Sequence, residues 1–400
     1  MTTTPSRRIA LVTNRFHPEV GGAETNIYFQ ARELSQKHRV TVFCPKRIDQ
    51  PSKETIDGFQ LRRCFNLFNW RRRYPYLAAR TLCPRFALQI LFGRYDIVQC
   101  FPALNLNNLL VFLACKLRGI PILLCSFDYL DYAGILAEQG CVPPDLLEKH
   151  RPKPWTRFVL SRVDHIFAIA HKELALFKRL NSNVSYSPVP VRLEEYEGIG
   201  DLPKNALGVP SGAFVFLCLG RVSRVKGQDL AVEAFAKVAN EAKDAHLVIV
   251  GRQDYEPEFV EGLRKAARRR GLEQRIHFAG EVERTEALAW LKRADVHVIP
   301  VRFMNAGAVV VESWVSGTPV VQSDAVDPNL VIEAENGYLF ASESIPGLVA
   351  AMRKAYRNRG RLRELGERDR KLVLENFTYP RLIALYETVY ERVCVSGRKR

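Results

Sequence analysis

The chain has 400 residues, of which 47% are hydrophobic and 26% are charged. That length is comfortable for two domains, and the composition excludes collagen, coiled coil and a disordered polymer. Lys and Arg number 59 against 43 Asp and Glu, so the formal net charge is +16. The excess predicts an anionic partner, which leaves phosphate groups, nucleic acid and an acidic membrane surface open.

Nine cysteines are scattered through the chain without a CxxC pair, and several stand inside apolar runs such as ILLCSF and VFLCLG. An odd number of scattered thiols favours buried, reduced side chains and a cytoplasmic protein over a disulfide framework. The start, MTTTPSRRIALVTN, has too short an apolar stretch for a signal peptide. No window reaches the roughly 18 apolar residues of a membrane-spanning helix.

The first half alternates short apolar runs with helical stretches. Its predicted elements in chain order are the strand 8–13, the helix 22–37, the strands 40–44 and 96–100, the helix 105–117, the strands 121–126 and 165–170, and the helix 172–180. Buried, β-branched strands that alternate with helices favour a parallel sheet covered on both faces. This half is therefore predicted to be a Rossmann-like domain.

Pro188 and the three prolines within 189–211 interrupt the pattern, and a second alternating series follows. Its predicted strands are 214–219, 246–250, 276–279, 296–301 and 319–322, separated by helices at 228–242, 257–270, 284–294 and 308–316. A last amphipathic helix covers 379–394. We predict an α/β chain with Rossmann-like domains over 1–190 and 212–375, a linker over 191–211, and a C-terminal helix in 376–400. The ligand is expected in the cleft between the domains, at the carboxyl ends of the strands.

The first strand is followed by the loop PEVGGAE, which opens a helix. Gly21 and Gly22 would let the backbone approach a ligand closely, and the amide groups at the helix start would favour an anion. The spacing is not GxGxxG, which disfavours a nicotinamide cofactor. A tight turn from strand to helix uses the same glycines, so both interpretations stay open.

The segment GRVSRVKG follows the first strand of the second series. It would place Arg221 and Lys226 at the carboxyl end of that strand, beside a helix that begins near residue 228. Two cations with backbone amides close by can bind a diphosphate. A solvated basic loop is the alternative interpretation.

The third candidate is NAGAVVVESWVSGTPVVQSD, in which Gly307 begins a helix that contains Glu312. Glu312 is surrounded by valines and Trp314, and a carboxylate is costly to bury without a partner. It either faces a ligand hydroxyl or forms a salt bridge on the helix face.

Together these segments resemble the family-four retaining glycosyltransferases, which have the GT-B fold of two Rossmann-like domains facing a central cleft. The resemblance covers nearly the whole chain. It rests on NRFHPEVGGAE, GRVSRVKGQDLAVEAF and ESWVSGTPVVQSD, with IHFAG, ADVHVIP and ENFTY in the expected order. It implies a metal-independent hexosyltransferase that moves a sugar from a UDP- or GDP-linked donor to a lipid-linked or polysaccharide acceptor with retention of configuration.

The resemblance also implies roles for individual residues. Gly21 and Gly22 would lie near the phosphates or the sugar of the donor. Arg221 and Lys226 would neutralise the leaving nucleotide diphosphate without a metal ion, and Glu312 would hold the ribose hydroxyls. The remaining donor-binding candidates surround the start of the helix that contains Glu312: Asn305, Gly307 and Ala308.

The chain departs from the family pattern where the transferred sugar is expected. The usual Glu eight positions before Glu312 is Met304 here, and Phe127 stands where the family offers a His. A His that the family often carries further upstream is absent from the stretch Gln99-Cys100-Phe101. Asp128 is our candidate for a replacement contact to the sugar, counted among the catalytic residues. These departures leave open a degenerate GT-B protein that acts as a binding or scaffolding subunit.

Basic and bulky apolar residues are interleaved over 65–94, and the region Arg71–Arg94 suits an anionic membrane interface. An ordinary helix with a solvated face has the same mixture. A second basic cluster over 264–270 is expected to be solvated surface. The chain shows no zinc-ligand spacing and no nucleic-acid signature, which disfavours nucleic acid as a partner. We expect a cytoplasmic protein, peripheral on the inner face of the membrane.

Overall fold

A computed structural model describes residues 5–18, 21–47, 50–67, 81–101, 106–126, 155–203, 205–302, 307–331 and 335–397. Its contacts divide the chain into two compact units. Unit 1 consists of Met1–Val189 together with Tyr379–Arg400, and unit 2 of Pro190–Thr378. The segment 191–211, predicted as a linker, lies in unit 2, because apolar side chains such as Val191 and Val209 pack into its core.

Unit 1 is built on an eight-stranded sheet with the order β3-β4-β2-β1-β5-β6-β7-β8. Its strands are β1 (Arg8–Thr13), β2 (Arg39–Pro45), β3 (Lys53–Ile56), β4 (Phe59–Cys64), β5 (Ile97–Phe101), β6 (Ile122–Cys125), β7 (His165–Ala168) and β8 (Val184–Tyr186). Its helices before residue 189 are α1 (Gly22–Ser35), α2 (Arg85–Phe92), α3 (Leu106–Arg118), α4 (Thr156–Leu160) and α5 (His171–Lys178).

The sheet of unit 1 is not entirely parallel, which corrects the sequence-based expectation. The edge strand β3 pairs antiparallel with β4 through a two-residue turn at Asp57 and Gly58, both with positive φ. Asp-Gly between two extended runs is a strong hairpin signal, because this turn needs two residues that tolerate positive φ. The remaining neighbours in the sheet pair in parallel.

Unit 2 contains a six-stranded, fully parallel sheet with the order β11-β10-β9-β12-β13-β14. Its strands are β9 (Phe214–Leu219), β10 (Ala245–Val250), β11 (Ile276–Gly280), β12 (Val296–Ile299), β13 (Val320–Ser323) and β14 (Gly337–Phe340). Its helices are α6 (Gln228–Val238), α7 (Pro257–Arg269), α8 (Arg284–Arg293), α9 (Ala308–Val315), α10 (Ile345–Arg357) and α11 (Leu362–Asn376).

The elements β14, α10 and α11 were missed by the sequence analysis. The start of α10 carries a recognisable signal, since the Ser344 hydroxyl accepts a hydrogen bond from the Gly347 amide at 3.1 Å and Pro346 stands in the first turn. A Ser cap followed by Pro is a typical helix start. With these elements the alternation of strands and helices continues to the end of unit 2.

The last helix, α12 (Tyr379–Gly397), belongs to unit 1 and packs against α1. The fully buried Tyr390 donates a hydrogen bond from its hydroxyl to Gln99 Oε1 at 2.6 Å. Ile9 and Leu11 of β1 share a core cluster with α1 and α12. Neighbouring residues of a strand point to opposite faces, and Ala10 between them is equally buried, so helices cover both faces of the sheet. Right-handed crossovers place the helices that follow β4 and β5 on the face opposite α1.

A glycine in α11 offers a test of how tightly unit 2 is packed. A Cβ at Gly366 would overlap the carbonyl oxygen of Gly317, because α11 packs directly on the end of α9. We expect Gly366→Ala to lower the free energy of unfolding by about 1–3 kcal/mol. Urea denaturation measures the change.

The matched control is Gly262→Ala on α7. A Cβ at Gly262 meets no atom within 4 Å, and alanine is the better helix former. This variant should therefore raise the free energy of unfolding by about 0.5–1 kcal/mol. Equal effects of the two substitutions would contradict the packing described for α9 and α11.

Candidate functional site

The backbone at the carboxyl ends of three neighbouring strands of unit 2 is drawn together by glycines. The amide of Gly220 donates to the carbonyl of Val250 at 2.9 Å, and the amide of Gly251 donates to that of Gly280 at 2.7 Å. All three glycines have positive φ, and a Cβ at Gly251 would overlap the carbonyl of Gly220. A side chain is thus sterically excluded at Gly251, and the positive φ of all three positions favours glycine at this edge, where the loop from β9 to α6 begins.

The loop from β9 to α6 is held by the first residue of α6. Gln228 donates from Nε2 to the carbonyl of Arg221 at 3.1 Å and accepts from the amide of Ser223 at 3.3 Å. The amide of Arg224 donates to Glu256 Oε2 at 3.1 Å. The sequence analysis missed Gln228, which fixes the conformation of the loop that presents the two predicted cations.

Arg221 and Lys226 lie close together on this loop. The guanidinium of Arg221 stacks on the ring of Tyr255, 4.3 Å from its centroid. Lys226 is half-buried, and its pKa is lowered by burial and by the positive charge of Arg221. Neither cation forms an ion pair with any carboxylate of the described residues. Two neighbouring cations without a counter-ion form a site that attracts an anion.

Glu312 is the fifth residue of α9. The left-handed Gly307 (φ 79°) caps this helix and the half-buried Ala308 begins it. Its Oε1 accepts a hydrogen bond from Arg284 Nη2 of α8 at 2.6 Å. The same guanidinium contacts the hydroxyl of Tyr196 at 3.3 Å. The salt bridge therefore joins two helices rather than two residues of one helix.

The surroundings of Glu312 are polar on the side of Arg284. Glu195 Oε2 accepts from Arg284 Nη2 at 3.1 Å, which gives the guanidinium two carboxylate partners. Burial and the charge of Glu312 raise the pKa of the Tyr196 hydroxyl, so this group stays protonated at neutral pH. No hydrogen bond within the described part of the chain engages Glu312 Oε2. That oxygen can accept a hydrogen bond from a ligand hydroxyl.

His297 of β12 connects the cation loop with the helix of Glu312. Its Nε2 accepts a hydrogen bond at 3.2 Å from the amide of Leu219, which is the last residue of β9. Its Nδ1 therefore carries the proton and donates to Ser313 Oγ at 2.6 Å, and Ser313 donates to the carbonyl of Val309 at 2.7 Å. Burial and the charge of Lys226 lower the pKa of His297 to about 3. The neutral imidazole thus fixes β9 relative to α9.

Gly21 and Gly22 lie in unit 1, at the start of α1. Gly21 caps the helix in an extended conformation, and its carbonyl accepts from the amide of Thr25 at 2.9 Å. A Cβ at Gly22 would meet no atom within 4 Å, so the fold itself does not require glycine there. Open space at a helix start is compatible with a ligand and with a simple turn alike.

The remaining residues named in the sequence analysis lie either outside the described residues or in the core of unit 1. Asn305, Met304, Phe127 and Asp128 lie outside the described residues, as does the part 71–80 of the region Arg71–Arg94. Gln99, Cys100 and Phe101 are all buried in the core of unit 1, where Gln99 is the partner of Tyr390. The altered stretch at 99–101 is therefore a feature of the core rather than an exposed recognition site.

Within the described ranges, no three His, Cys, Asp or Glu side chains lie together as metal ligands would. The helices in the same ranges include none whose length and apolar character would let it cross a bilayer. The eight cysteines in that part of the chain form no disulfide, and all but the half-buried Cys394 are buried.

The hydrogen bonds of the neutral His297 to Leu219 and Ser313 predict that the fold loses stability in acid. The pKa of His297 is about 3 in the folded chain against an ordinary value of 6.5, so the unfolded chain binds a proton first as pH falls. The contribution of the neutral His297 to the free energy of unfolding is fully present above about pH 6.5 and decreases as pH falls towards 3. We expect His297→Gln, whose amide can accept from Leu219 and donate to Ser313, to reduce the loss between pH 6.5 and 4 by about 2–4 kcal/mol.

Urea denaturation at a series of pH values measures this effect. The control is His17→Gln, which makes the same replacement at an exposed imidazole. An identical pH dependence for His297→Gln and the parent chain would show that His297 does not carry the predicted protonation penalty.

Two family models match the chain. The model described as Glycosyltransferase Family 4 matches residues 20–193, and the one described as Glycosyl transferases group 1 matches residues 213–358. The first match lies mainly in unit 1 and the second in unit 2. The two matches follow each other in the order that the sequence motifs predict.

Curated relatives and solved structures agree with this assignment. The chain is 25% identical over 353 residues to alpha-monoglucosyldiacylglycerol synthase of Streptococcus pneumoniae, covering 84% of this chain and 76% of the relative. It is 25% identical over 387 residues to the GDP-mannose-dependent alpha-(1-6)-phosphatidylinositol monomannoside mannosyltransferase of Mycolicibacterium smegmatis, covering 92% and 94%. The crystal structure of Anabaena HepE with UDP-glucose superimposes with a TM-score of 0.66 at 16% identity, covering 98% of this chain and 100% of that chain. The resemblance is confirmed: the chain belongs to the family-four glycosyltransferases and has the GT-B fold with two Rossmann-like domains.

Proposed function

We propose that this chain is a hexosyltransferase that transfers a sugar from a nucleotide-sugar to a lipid-linked or glycan acceptor with retention of configuration. The observation that carries the proposal is the pair of cations Arg221 and Lys226, which lie together without a carboxylate partner in the described chain. A half-buried ammonium beside a guanidinium is unfavourable until an anion binds between them. A diphosphate supplies two negative charges at that position.

The same pair accounts for the electrostatic part of the proposed reaction. When the bond between the sugar and the diphosphate breaks, negative charge grows on the leaving phosphate oxygen. Arg221 and Lys226 stabilise that charge in a site already organised by Gln228 and the surrounding glycines. We propose that these cations replace a divalent metal ion, and that Glu312 Oε2 accepts hydrogen bonds from the ribose hydroxyls.

The relatives support the classes of donor and acceptor. One carries GDP-mannose in its name, and the HepE crystal holds UDP-glucose, so a UDP- or GDP-linked hexose is the proposed donor. Both curated relatives are named for products or substrates that are membrane lipids, which favours a lipid-linked acceptor. We propose a peripheral protein at the inner membrane face, in contact with anionic lipid through the region Arg71–Arg94.

The other donor-binding residues remain proposals at the same level. Gly21, Gly22, Asn305, Gly307 and Ala308 are proposed to bind the donor, and Asp128 to contact the transferred sugar. Met304 and Phe127, which differ from the family pattern, favour the second candidate function. That candidate is a GT-B subunit that binds the nucleotide without transferring a sugar.

Nucleotide binding tests the cation pair. We expect calorimetric titration to detect binding of UDP or GDP to the parent chain and about ten- to a hundredfold weaker binding to Lys226→Gln. Because the substitution removes a half-buried charge that repels Arg221, the stability of the free protein should be equal or higher. The control is Lys237→Gln, an exposed lysine on the helix that follows the loop, which should bind as the parent does. Failure of every nucleoside diphosphate to bind at millimolar concentration would overturn the proposal.

Turnover separates the enzyme from the binding subunit. We expect a nucleotide-sugar to be consumed when a membrane lipid extract is added, and the sugar in the product to keep the anomeric configuration of the donor, as read by NMR coupling constants. Lys226→Gln should lose this activity. A product of opposite anomeric configuration would contradict retention. Nucleotide binding with no transfer to any lipid or glycan acceptor would support the binding subunit instead.

A further inference from the structure

The helix α2 presents an apolar stripe to solvent. Leu88 and Phe92 lie one turn apart on its outer side, and Phe92 is 78% exposed. On the inner side of the same helix, Phe86 and Ile90 are fully buried. A soluble helix usually turns its charged side outward. Here both sides are apolar, and the outer side exposes large apolar side chains to solvent.

The neighbouring helix α3 repeats this arrangement. Leu106, Leu113 and Leu117 are separated by seven and four positions, a spacing that aligns them on one side of a helix. All three are exposed, Leu117 at 77%. Val111 and Cys115 on the opposite side are fully buried.

The exposed stripes belong to one continuous surface. Arg118 of α3 donates a hydrogen bond to the carbonyl of Leu91 in α2. On its other side α3 contacts α4, where the ring of Phe112 meets the ring of Phe158 edge-on at 6.0 Å. Phe158 is itself exposed and lies under the guanidinium of Arg162. We call this surface the α2–α4 face; its exposed apolar residues are Leu88, Phe92, Leu106, Leu113, Leu117 and Phe158.

The charges on the α2–α4 face have one sign. The three helices contain no Asp or Glu, and their charged residues are all basic: Arg85, Lys116, Arg118 and Arg157. Arg94 and Arg162, directly after α2 and α4, add to the same sign. The nearest acidic residue after α4, Asp164, is paired with Lys116 at 2.9 Å. The face is therefore apolar at its centre and cationic around it.

We propose that the α2–α4 face docks on the surface of an anionic lipid bilayer. Leucine and phenylalanine side chains would enter the boundary between headgroups and acyl chains, and the arginines would lie at the level of the lipid phosphates. An exposed apolar patch of this kind marks an interaction site, and the uniform positive charge selects an anionic partner. The inference deepens the proposed function by naming a docking surface on three helices, most of which lies outside the region Arg71–Arg94.

Sedimentation with vesicles tests the apolar part of the face. The full chain is mixed with vesicles of phosphatidylcholine and phosphatidylglycerol, and the bound fraction is measured over a range of lipid concentration. We expect Phe92→Ser combined with Leu117→Ser to weaken binding about tenfold or more. The matched control is Leu374→Ser, which removes an exposed leucine from α11 of unit 2 and should bind as the parent does.

A second pair of variants tests the charge. Arg85→Gln with Arg94→Gln should weaken binding by about fivefold for each cation removed, because each basic residue near an anionic surface contributes on the order of 1 kcal/mol. Lys265→Gln with Arg269→Gln removes the same charge from the exposed side of α7 and should have no comparable effect. Vesicles of phosphatidylcholine alone should bind the parent chain weakly.

The outcomes are distinct from those of the nucleotide test. Lys226→Gln should bind vesicles as the parent does, and Phe92→Ser with Leu117→Ser should bind UDP or GDP as the parent does, which also shows that it is folded. The proposal is overturned if the parent chain does not bind anionic vesicles. It is also overturned if analytical ultracentrifugation shows that the parent chain is a dimer and the Phe92 and Leu117 variant a monomer, while both bind vesicles equally.

Discussion

The repulsion between Arg221 and Lys226 is the interaction on which the candidate site depends. Burial and a neighbouring cation both lower the pKa of Lys226, and no carboxylate in the described ranges offsets either effect. A protein that binds no anion here would gain stability by replacing one of the two charges. Binding of an anionic ligand offsets this loss of stability. The pair therefore indicates a diphosphate more strongly than either residue does alone.

Holding two cations together requires a rigid support, and the surrounding backbone supplies it. The glycines at the ends of β9, β10 and β11 let these strand ends approach without side chains. Gln228 fastens the loop from the side of α6, while His297 fastens the end of β9 to the helix of Glu312. The cations and the carboxylate are thereby linked through the sheet rather than by direct contact.

Features of the fold and the site could be predicted from the sequence where the interacting residues are close together along the chain. Local patterns were sufficient for β9, predicted at 214–219, and for the loop with Arg221 and Lys226, because both are contiguous in sequence. The roles of His297 and Arg284 rest on bonds to residues 78 and 28 positions away, which no local pattern reveals. The β3–β4 hairpin is different: Asp57 and Gly58 were visible, but the regular strand–helix alternation around them favoured a uniformly parallel sheet.

Two groups among the cations behind the net charge of +16 have different physical roles in this interpretation. In unit 2 the exposed Arg221 and the half-buried Lys226 lie close together, and we propose that their fixed geometry selects a diphosphate. In unit 1 the cations of the α2–α4 face are exposed, and they act together over roughly one Debye length of about 8–10 Å. Raising the salt concentration should therefore weaken vesicle binding far more than nucleotide binding, since buried charges are screened less than exposed ones. The proposed lipid-linked acceptor would give both groups of cations a common purpose, because an enzyme with such an acceptor must stay at the membrane while it exchanges a water-soluble donor.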